Sequence, residues 1–339
     1  MDFRFDEEQL ALRDAVRAVC ERHFSLDSVQ SREGQQVSDL TWATLSDVGV
    51  FAMLVPAAEG GTGGSAVEAA LICEEFGLHV ANGPLRWTTA VAPLLWATLR
   101  PEFDAATLRV AGVDATVSAS PHVIEHAFES DYIVVLHADR VELCRTARVG
   151  GLVAGAALDP LTPSAWCAEL PNGDVVGNAT DAQRLRDLGA ILAAAELVGA
   201  AQGALTTAVE YAKQRHQFGV PIGSFQAVKH MLADMFVRLE LARSTVYAAA
   251  AIFTDPRAGD VAASVSTAKL LAGEAAIANA KTAVQILGGM GFTWEMLPHY
   301  FLKRAWVLEM SFGTADEHAL ALADLLATAI TASSAREVS

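Results

Sequence analysis

The sequence predicts a mostly helical protein in which a small β region separates two helical regions. Apolar residues recur at helical spacing near the N-terminus and again through the Ala-rich last part of the chain. Between them the pattern changes to short alternating runs punctuated by Gly and Pro, which is typical of strands. A chain of 339 residues divides into two or three domains. We expect an N-terminal helical domain, a β domain and a C-terminal helical bundle, at residues 1–109, 110–178 and 179–339.

Four helices are predicted in the N-terminal domain. Asp6 with Gln9, and Ser65 with Glu68, match the capping-box pattern in which the cap and the third helical residue bond each other's backbone. Gly77 follows an apolar stripe and predicts the end of the helix that Ser65 begins. The predicted helices are residues 6–24, 38–48, 65–77 and 85–99.

The two remaining domains are predicted from the same kind of pattern. Residues 131–136 and 141–144 alternate like strands, and turn residues surround them, which indicates a small, degenerate β-barrel. The last part of the chain predicts a bundle of four long helices and a C-terminal arm. These five helices are expected at residues 181–217, 225–252, 260–287, 298–310 and 315–331.

Composition excludes several classes of function. A net charge of −16 argues against a nucleic-acid partner. The sequence predicts no membrane span and no signal peptide, because its apolar runs are interrupted and its N-terminus, MDFRFDEEQ, lacks a basic region. We therefore expect a cytoplasmic protein. The cysteines have no zinc-site spacing, so we predict reduced thiols and no metal at Cys20, Cys73, Cys144 and Cys167.

Two glycine-bearing segments lie in the last third of the chain. One is RHQFG at residues 215–219, and the other is QILGGMGF at residues 285–292. Each looks like the end of a predicted long helix, and glycine adopts the left-handed conformation at low cost. We therefore expect helices to end at Gly219 and Gly288, and the two segments to meet in space.

The side chains of these segments suggest a site for a dinucleotide. Arg215, expected in the last helical turn, carries a planar fork that suits a diphosphate. Gln226 and Gln285 offer amides that can read a purine edge or a ribose. Gly288 and Gly289 let the backbone N–H groups approach an anion. Together they predict a clamp for the ADP half of a dinucleotide.

The same residues carry a family resemblance. The run RHQFGVPIGSFQAVKHMLAD at residues 215–234, and QILGGMGF at residues 285–292, closely resemble the acyl-CoA dehydrogenases, which are FAD enzymes. In that family the residues of these two runs contact the FAD of a neighbouring subunit. The resemblance implies that FAD is held here by Arg215, Phe218, Gln226, Gln285, Gly288 and Gly289.

The catalytic carboxylate of the family is missing from its expected places. The resemblance implies abstraction of an α-proton by a Glu, usually in a Y-E-G-T motif. This chain instead reads Ser311-Phe312-Gly313-Thr314, and the position used by a minority of relatives falls on Gly189. The β region also lacks the GSD turn and the K-x-W/F-I-T strand that hold the flavin in relatives. We therefore predict no catalytic residue in this chain.

Other acids leave an alternative open. Glu196 lies on the helix of Gly189 but about two turns away, or about 10 Å, and Glu309 lies one turn before Phe312. Asp316 and Glu317 follow the motif, and a paired or solvated role is the simpler interpretation for each acid. His216 and His230 lie near the clamp and invite an acid–base role, but a surface or diphosphate-side polar residue is the simpler interpretation for His216. His299 and His318 show no ligand spacing.

A kept clamp and a lost base indicate one partner of a hetero-oligomer. The resemblance favours the non-catalytic subunit of an α2β2 acyl-CoA dehydrogenase for a bulky, steroid-like CoA thioester. A homologous catalytic subunit would supply the base and bind most of the acyl-CoA. Two alternatives are a homomeric flavoenzyme with a relocated base and a scaffold subunit without flavin. The retained clamp residues argue against the scaffold.

Overall fold

Helices form both ends of the chain in the computed structural model, which describes residues 5–99 and 107–337. Both predicted capping boxes are present, with Asp6 and Gln9 at the first helix and Ser65 and Glu68 at the third. The N-terminal helices are α1 (Glu7–His23), α2 (Asp39–Asp47), α3 (Ala66–Leu78) and α4 (Leu85–Leu99).

The C-terminal region is a helical bundle, as the sequence predicts. Its first helix begins at a capping box that Asn178 makes with Asp181, and it ends three residues before the predicted residue 217. The helices are α5 (Ala179–Gln214), α6 (Gln226–Thr254), α7 (Val261–Leu287), α8 (Pro298–Met310) and α9 (Ala315–Glu337).

Glycines allow the N-terminal helix α3 to press against α5. The prediction that Gly77 ends its helix is wrong, because α3 continues to Leu78. A Cβ at Gly77 would lie 1.9 Å from the carbonyl oxygen of Glu196, and one at Gly199 would lie 2.0 Å from that of Glu74. These two positions therefore stay without side chains because two backbones meet there.

The predicted β region consists of two small sheets over a shared core. One sheet has the order β1-β3-β4-β7, with β1 parallel to β3, and the other is an antiparallel sheet of order β2-β6-β5. Their facing side chains form a separate buried cluster that includes Val113, Ile124, Val135 and Ala165. The strands are β1 (Val110–Asp114), β2 (His122–Glu125), β3 (Tyr132–Leu136), β4 (Arg140–Arg145), β5 (Val153–Ala154), β6 (Ser164–Cys167) and β7 (Asp174–Asn178).

Two of the described helices are long and apolar enough, by length and composition, to cross a membrane. They are Ala179–Gln214 and the segment Val261–Phe292, whose most apolar windows are 94% and 44% buried inside the protein. Burial in the bundle accounts for the apolar surface of the first. The absence of a membrane span stays a prediction.

All four cysteines are free and buried, and burial raises the pKa of each thiol.

A buried lysine holds the turn between α8 and α9. The Lys269 ammonium donates to the carbonyl oxygens of Glu309 and Gly313, each at 2.8 Å, and its side chain lies in the core. Phe312 and Gly313 in this turn both have positive φ, 57° and 97°. Burial lowers the pKa of Lys269 to about 7, against the attraction of the Glu309 carboxylate. This hydrogen-bonded lysine stabilises a turn that the backbone alone would adopt at a cost.

The Gly199→Ala variant should unfold more easily than the parent. Its methyl group would meet the α3 backbone, and overpacking of this kind costs about 1–3 kcal/mol, more than the helix propensity gained. Urea denaturation of the purified chain measures the difference. Gly150→Ala is the matched control, because a Cβ there meets nothing within 4 Å. A Gly199→Ala protein as stable as Gly150→Ala would contradict the close α3–α5 approach.

The stability contributed at Lys269 should depend on pH. Below about pH 7 the folded and unfolded states both hold the proton, whereas between about 7 and the ordinary value of 10.5 only the unfolded state holds it fully. The free energy of unfolding should therefore rise with pH across that window, by up to about 1.4 kcal/mol per unit. Urea denaturation of the parent and of Lys269→Met at several pH values measures this, since other titrating groups cancel in the difference. A difference that is constant with pH would contradict the buried, proton-releasing lysine.

Candidate functional site

The structure brings the two glycine-bearing segments to one end of the bundle. Helices α5 and α7 both end there, and α6 begins there. The Tyr211 hydroxyl, in the last turn of α5, lies 3.8 Å from the Met290 sulfur of the second segment. We call this surface, formed by residues 215–226 and 285–292, the loop end of the bundle.

The first segment forms a hairpin and does not continue the helix. Two short strands, His216–Gln217 and Val220–Pro221, pair across a turn at Phe218 and Gly219. Both turn residues have positive φ, 53° and 81°, as in a type I′ turn. The expectation that Gly219 ends the helix, with Arg215 in the last turn, is wrong, since Arg215 is already extended. A hairpin turn and a helix end require the same left-handed glycine, and local sequence did not separate them.

The second segment ends its helix as predicted. Gly288 follows the last residue of α7 with φ 62°. Gly288 and Gly289 are exposed, and a Cβ at either would meet nothing within 4 Å, whereas one at Gly291 would lie 2.6 Å from the Val284 carbonyl oxygen. Gly291 is thus needed for packing. Gly289 is not needed for packing, and its exposed backbone is accessible to a group outside the chain.

The polar side chains of the loop end carry hydrogen-bond donors that have no acceptor among the described residues. Arg215, Gln226 and Gln285 are exposed, and none makes a side-chain hydrogen bond or ion pair with a residue that the structure describes. Gln226 is the first residue of α6, which begins without a side-chain cap, so its N–H groups add positive potential. Phe218 at the hairpin tip is 93% exposed. The surface combines a cation, two amides, open backbone and an uncovered ring.

The two positions at which the resemblance expects a base touch each other. A Cβ at Gly189 would lie 2.3 Å from the Phe312 ring, so this ring occupies the space beside the glycine. The ring is 7% exposed and packs with its centroid 4.8 Å from that of Trp87. Neither position carries a group that accepts a proton.

Glu196 belongs to a buried ionic cluster that the sequence did not reveal. Arg86 donates to Glu196 at 3.0 Å and to Glu125 at 3.2 Å, and the Ser311 hydroxyl donates to Glu125 at 3.3 Å. Burial raises the pKa of Glu196, and Arg86 opposes that effect. Glu196 is therefore a paired residue, as the simpler interpretation held. Arg86 lies alone among apolar residues in the sequence of α4, and that pattern could have indicated a buried ion pair.

Two of the other acids weighed from the sequence, Glu309 and Glu317, have structural roles. Glu309 accepts from the Ala315 N–H at 2.7 Å at the start of α9, and Glu317 accepts from the Thr314 N–H at 2.7 Å. Burial lowers the pKa of His318, which contacts the Phe312 carbonyl oxygen. Among the described residues no group of three or more His, Cys, Asp or Glu could hold a metal ion, and the absence of a metal stays a prediction.

A cleft of about 410 Å³ opens between the β region and α8, and we call it the β-domain cleft. Its walls are largely aromatic and aliphatic, and Glu125 and Asp114 are its two acidic lining residues. No Lys or Arg is among the described residues that line it. The apolar wall includes Trp87, Val117, Val123, Leu158, Trp166, Trp306, Met310 and Phe312.

Comparisons with known proteins agree with this architecture. The acyl-CoA dehydrogenase N-terminal domain matches residues 6–99, and the acyl-CoA dehydrogenase C-terminal domain matches residues 180–326. The acyl-CoA dehydrogenase IpdE2 of Mycobacterium tuberculosis is 32% identical over 304 residues, which cover 88% of this chain and 91% of the relative.

Solved structures show the same fold. The ChsE4–ChsE5 complex from Mycobacterium tuberculosis superposes with a TM-score of 0.78 at 23% identity, covering 96% of this chain and 99% of that chain. A variant of the Tcur3481–Tcur3483 steroid ACAD gives a TM-score of 0.79 at 21% identity, again covering 96% and 99%. The matched domains and the close relative over nearly the full length show that this chain belongs to the acyl-CoA dehydrogenase family.

Proposed function

We propose that this chain is the non-catalytic subunit of an FAD-dependent acyl-CoA dehydrogenase. One observation carries the proposal. The donors at the loop end have no partner within the described chain, while Phe312 fills the space beside Gly189 where the family would place its base. The chain thus offers cofactor contacts outward and no proton acceptor at either expected position.

The loop end has the donor set that the ADP half of FAD requires. The Arg215 guanidinium presents a planar fork to a diphosphate, and the Gln226 and Gln285 amides can bond the adenosine. Gly288 and Gly289 leave room for the close approach of an anion to backbone N–H groups. Bound FAD supplies the hydride acceptor of the family's reaction. This chain's own contribution is to hold and orient the cofactor in a site that it shares with its partner.

The partner, in this proposal, provides the base and binds most of the acyl-CoA. A phenyl ring at position 312 cannot take the α-proton, and the ring leaves no room for a side chain at Gly189. A homologous catalytic subunit in an α2β2 complex would complete the enzyme. The name of the similar ChsE4–ChsE5 complex supports two different chains. We place the complex in the cytoplasm, without nucleic acid or membrane contacts.

The acyl group is proposed to be a bulky ring system such as a steroid derivative. One structural relative is a steroid ACAD, and this likeness supports the substrate class. A scaffold role is less consistent with the structure, because the exposed Arg215 and the uncrowded Gly289 serve no packing purpose in the chain. A self-sufficient homomer would need a carboxylate elsewhere, and Glu196 and Glu309 are already bonded to other groups.

Arg215→Ala should lower FAD occupancy of the complex. The chain is co-expressed with candidate catalytic subunits encoded beside it, and the purified complex is analysed by mass and flavin absorbance. Loss of a charge-assisted bidentate contact costs roughly 1.5–3 kcal/mol, so the FAD dissociation constant should rise about 10- to 100-fold.

Lys213→Ala is the matched control. Lys213 lies two residues before Arg215, is exposed and pairs with Glu210, so this variant removes a neighbouring cation. Its FAD affinity should match that of the parent. Equal FAD affinity in the Arg215→Ala and parent complexes would refute the clamp. A yellow, active homotetramer of this chain alone would refute the subunit assignment.

Neither Glu196 nor Glu309 should be needed for chemistry. Loss of a true general base commonly costs roughly 10²–10⁴ in rate. Glu309→Gln should keep turnover per bound FAD within a few-fold of the parent. Glu196→Gln weakens a buried pair with Arg86, so it should lower stability by about 1–3 kcal/mol while the turnover of folded complex is kept. A collapse of turnover per bound FAD in either variant would instead identify a base in this chain.

A further inference from the structure

A second groove lies between the N-terminal helices α1 and α3 and the bundle helices α5 and α6, and we call it the helical groove. Its volume is about 500 Å³, within the roughly 300–1,000 Å³ typical of small-molecule sites. It shares no lining residue with the β-domain cleft. Arg243, which lines it, lies about 25 Å along α6 from Gln226 of the loop end. The proposed function therefore leaves this groove without a role.

The floor of the helical groove is an ion-pair network in which the carboxylates are already bonded. Arg243 Nε donates to one Glu74 oxygen at 3.0 Å, and the Tyr247 hydroxyl donates to the other at 2.6 Å. Arg17 donates to Glu75 through two nitrogens, at 3.1 and 2.6 Å. The side chains of Glu74 and Glu75 are only 17% and 3% exposed. Their remaining acceptor positions are therefore mostly covered.

The mouth of the groove presents hydrogen-bond donors. Arg13 and Arg17 lie four residues apart on α1, which makes them neighbours on one helix face, and they are 30% and 39% exposed. Each uses its Nε and Nη2 atoms in a pair, with Asp14 and Glu75 respectively. A guanidinium has five N–H groups, so about three remain on each arginine. Two adjacent guanidiniums with donors left over suit a ligand oxyanion.

The charge of the lining also favours an anion. The lining contains three arginines and two glutamates, which leaves an excess of one positive charge. The acids that pair with Arg13 and Arg243 from outside the lining, Asp14 and Glu240, are open to water, which screens their charges. A single negative charge matches the excess, whereas a dianion would also be repelled by Glu74 and Glu75.

Apolar side chains complete the groove. The Phe5 ring packs edge-on against the Tyr247 ring, with centroids 4.8 Å apart. Leu71 and Leu78 of α3 are also among the lining residues. A ligand that covers this surface gains burial, because apolar area removed from water is stabilising.

We propose that the helical groove binds a small molecule that carries one carboxylate on an apolar body. The carboxylate accepts hydrogen bonds from Arg13 and Arg17 at the mouth, and the apolar body lies against Phe5, Leu78 and Tyr247. This binding site goes beyond the proposed function, in which FAD is held at the loop end and the partner binds most of the acyl-CoA.

Three probes with one apolar body and different head groups test the proposal on the complex with which the chain co-purifies. 4-Phenylbutyrate is a monoanion at neutral pH, 4-phenylbutanamide is its neutral isostere, and 4-phenylbutylammonium is a cation. Isothermal titration calorimetry measures each affinity. We expect the carboxylate to bind roughly tenfold more tightly than the amide, because two partly exposed guanidiniums each add a modest charged contact. The ammonium should bind least, and the preference for the carboxylate should shrink at high salt.

Two variants and a control locate the binding. Arg13→Gln breaks only an exposed pair with Asp14, and it should reduce the preference for 4-phenylbutyrate by roughly threefold to fivefold. Arg22→Gln is the matched control, because it removes an exposed cation of α1 that does not line the groove, and it should leave all affinities unchanged. Thr206→Trp fills the groove from an exposed position of α5 and should abolish binding. Arg17 is left intact, because its loss would unpair the buried Glu75.

Three results would overturn the proposal. They are equal affinities for 4-phenylbutyrate and 4-phenylbutanamide, 4-phenylbutyrate binding that survives Thr206→Trp, and tighter binding of 4-phenylbutyl phosphate, which would make the groove a phosphate site. None of these results depends on FAD binding at the loop end. Failure of the subunit assignment, read from Arg215→Ala, is therefore distinguishable from failure here.

Discussion

One buried guanidinium joins the parts of this molecule that meet around its centre. Arg86 in α4 bonds Glu125 at the end of β2, Glu196 in α5 and Ser311 after α8. These groups come from the N-terminal helices, the β region and the bundle. Loss of the Arg86 cation would leave both carboxylates without their ion pair, and breaking a buried ion pair in this way costs roughly 3–5 kcal/mol. The cluster therefore sets how the three regions meet.

The position of this cluster explains why the chain has acids near the expected active site without a base at its expected positions. The Arg86 guanidinium carbon lies 5.9 Å from the centroid of the Phe312 ring. The nearby Glu196 is held by that arginine, and Phe312 closes the space beside Gly189. Carboxylates at this place stabilise the junction of the regions, and the ring that replaces the usual acid completes an apolar wall.

The two ends of the bundle differ in how well the chain satisfies its own groups. At the turn between α8 and α9, Lys269, His318 and Glu309 bond backbone groups, so the turn is complete within the chain. At the loop end, Arg215 and Gln285 have no described partner, and Phe218 is nearly fully exposed. Polar and apolar groups left open together at one surface are those that a cofactor and a second subunit would cover.

The sequence by itself predicted the main helices, two of their N-terminal caps and the order of the three regions. Asp6 with Gln9 and Ser65 with Glu68 depend on neighbours three residues apart, so local pattern sufficed. It also identified Gly288 as a helix end, because the glycine with positive φ there directly follows the last helical residue.

Tertiary structure decided what depends on residues distant in the chain. Gly219 serves a hairpin, and Gly77 stays inside a helix because the α5 backbone passes beside it. The contact of Phe312 with Gly189 and the pairing of Arg86 with Glu196 likewise join residues far apart in sequence. A positive φ or a missing side chain is visible in the sequence as a glycine, but its cause is the neighbour that packing supplies. Only the folded chain provides that neighbour.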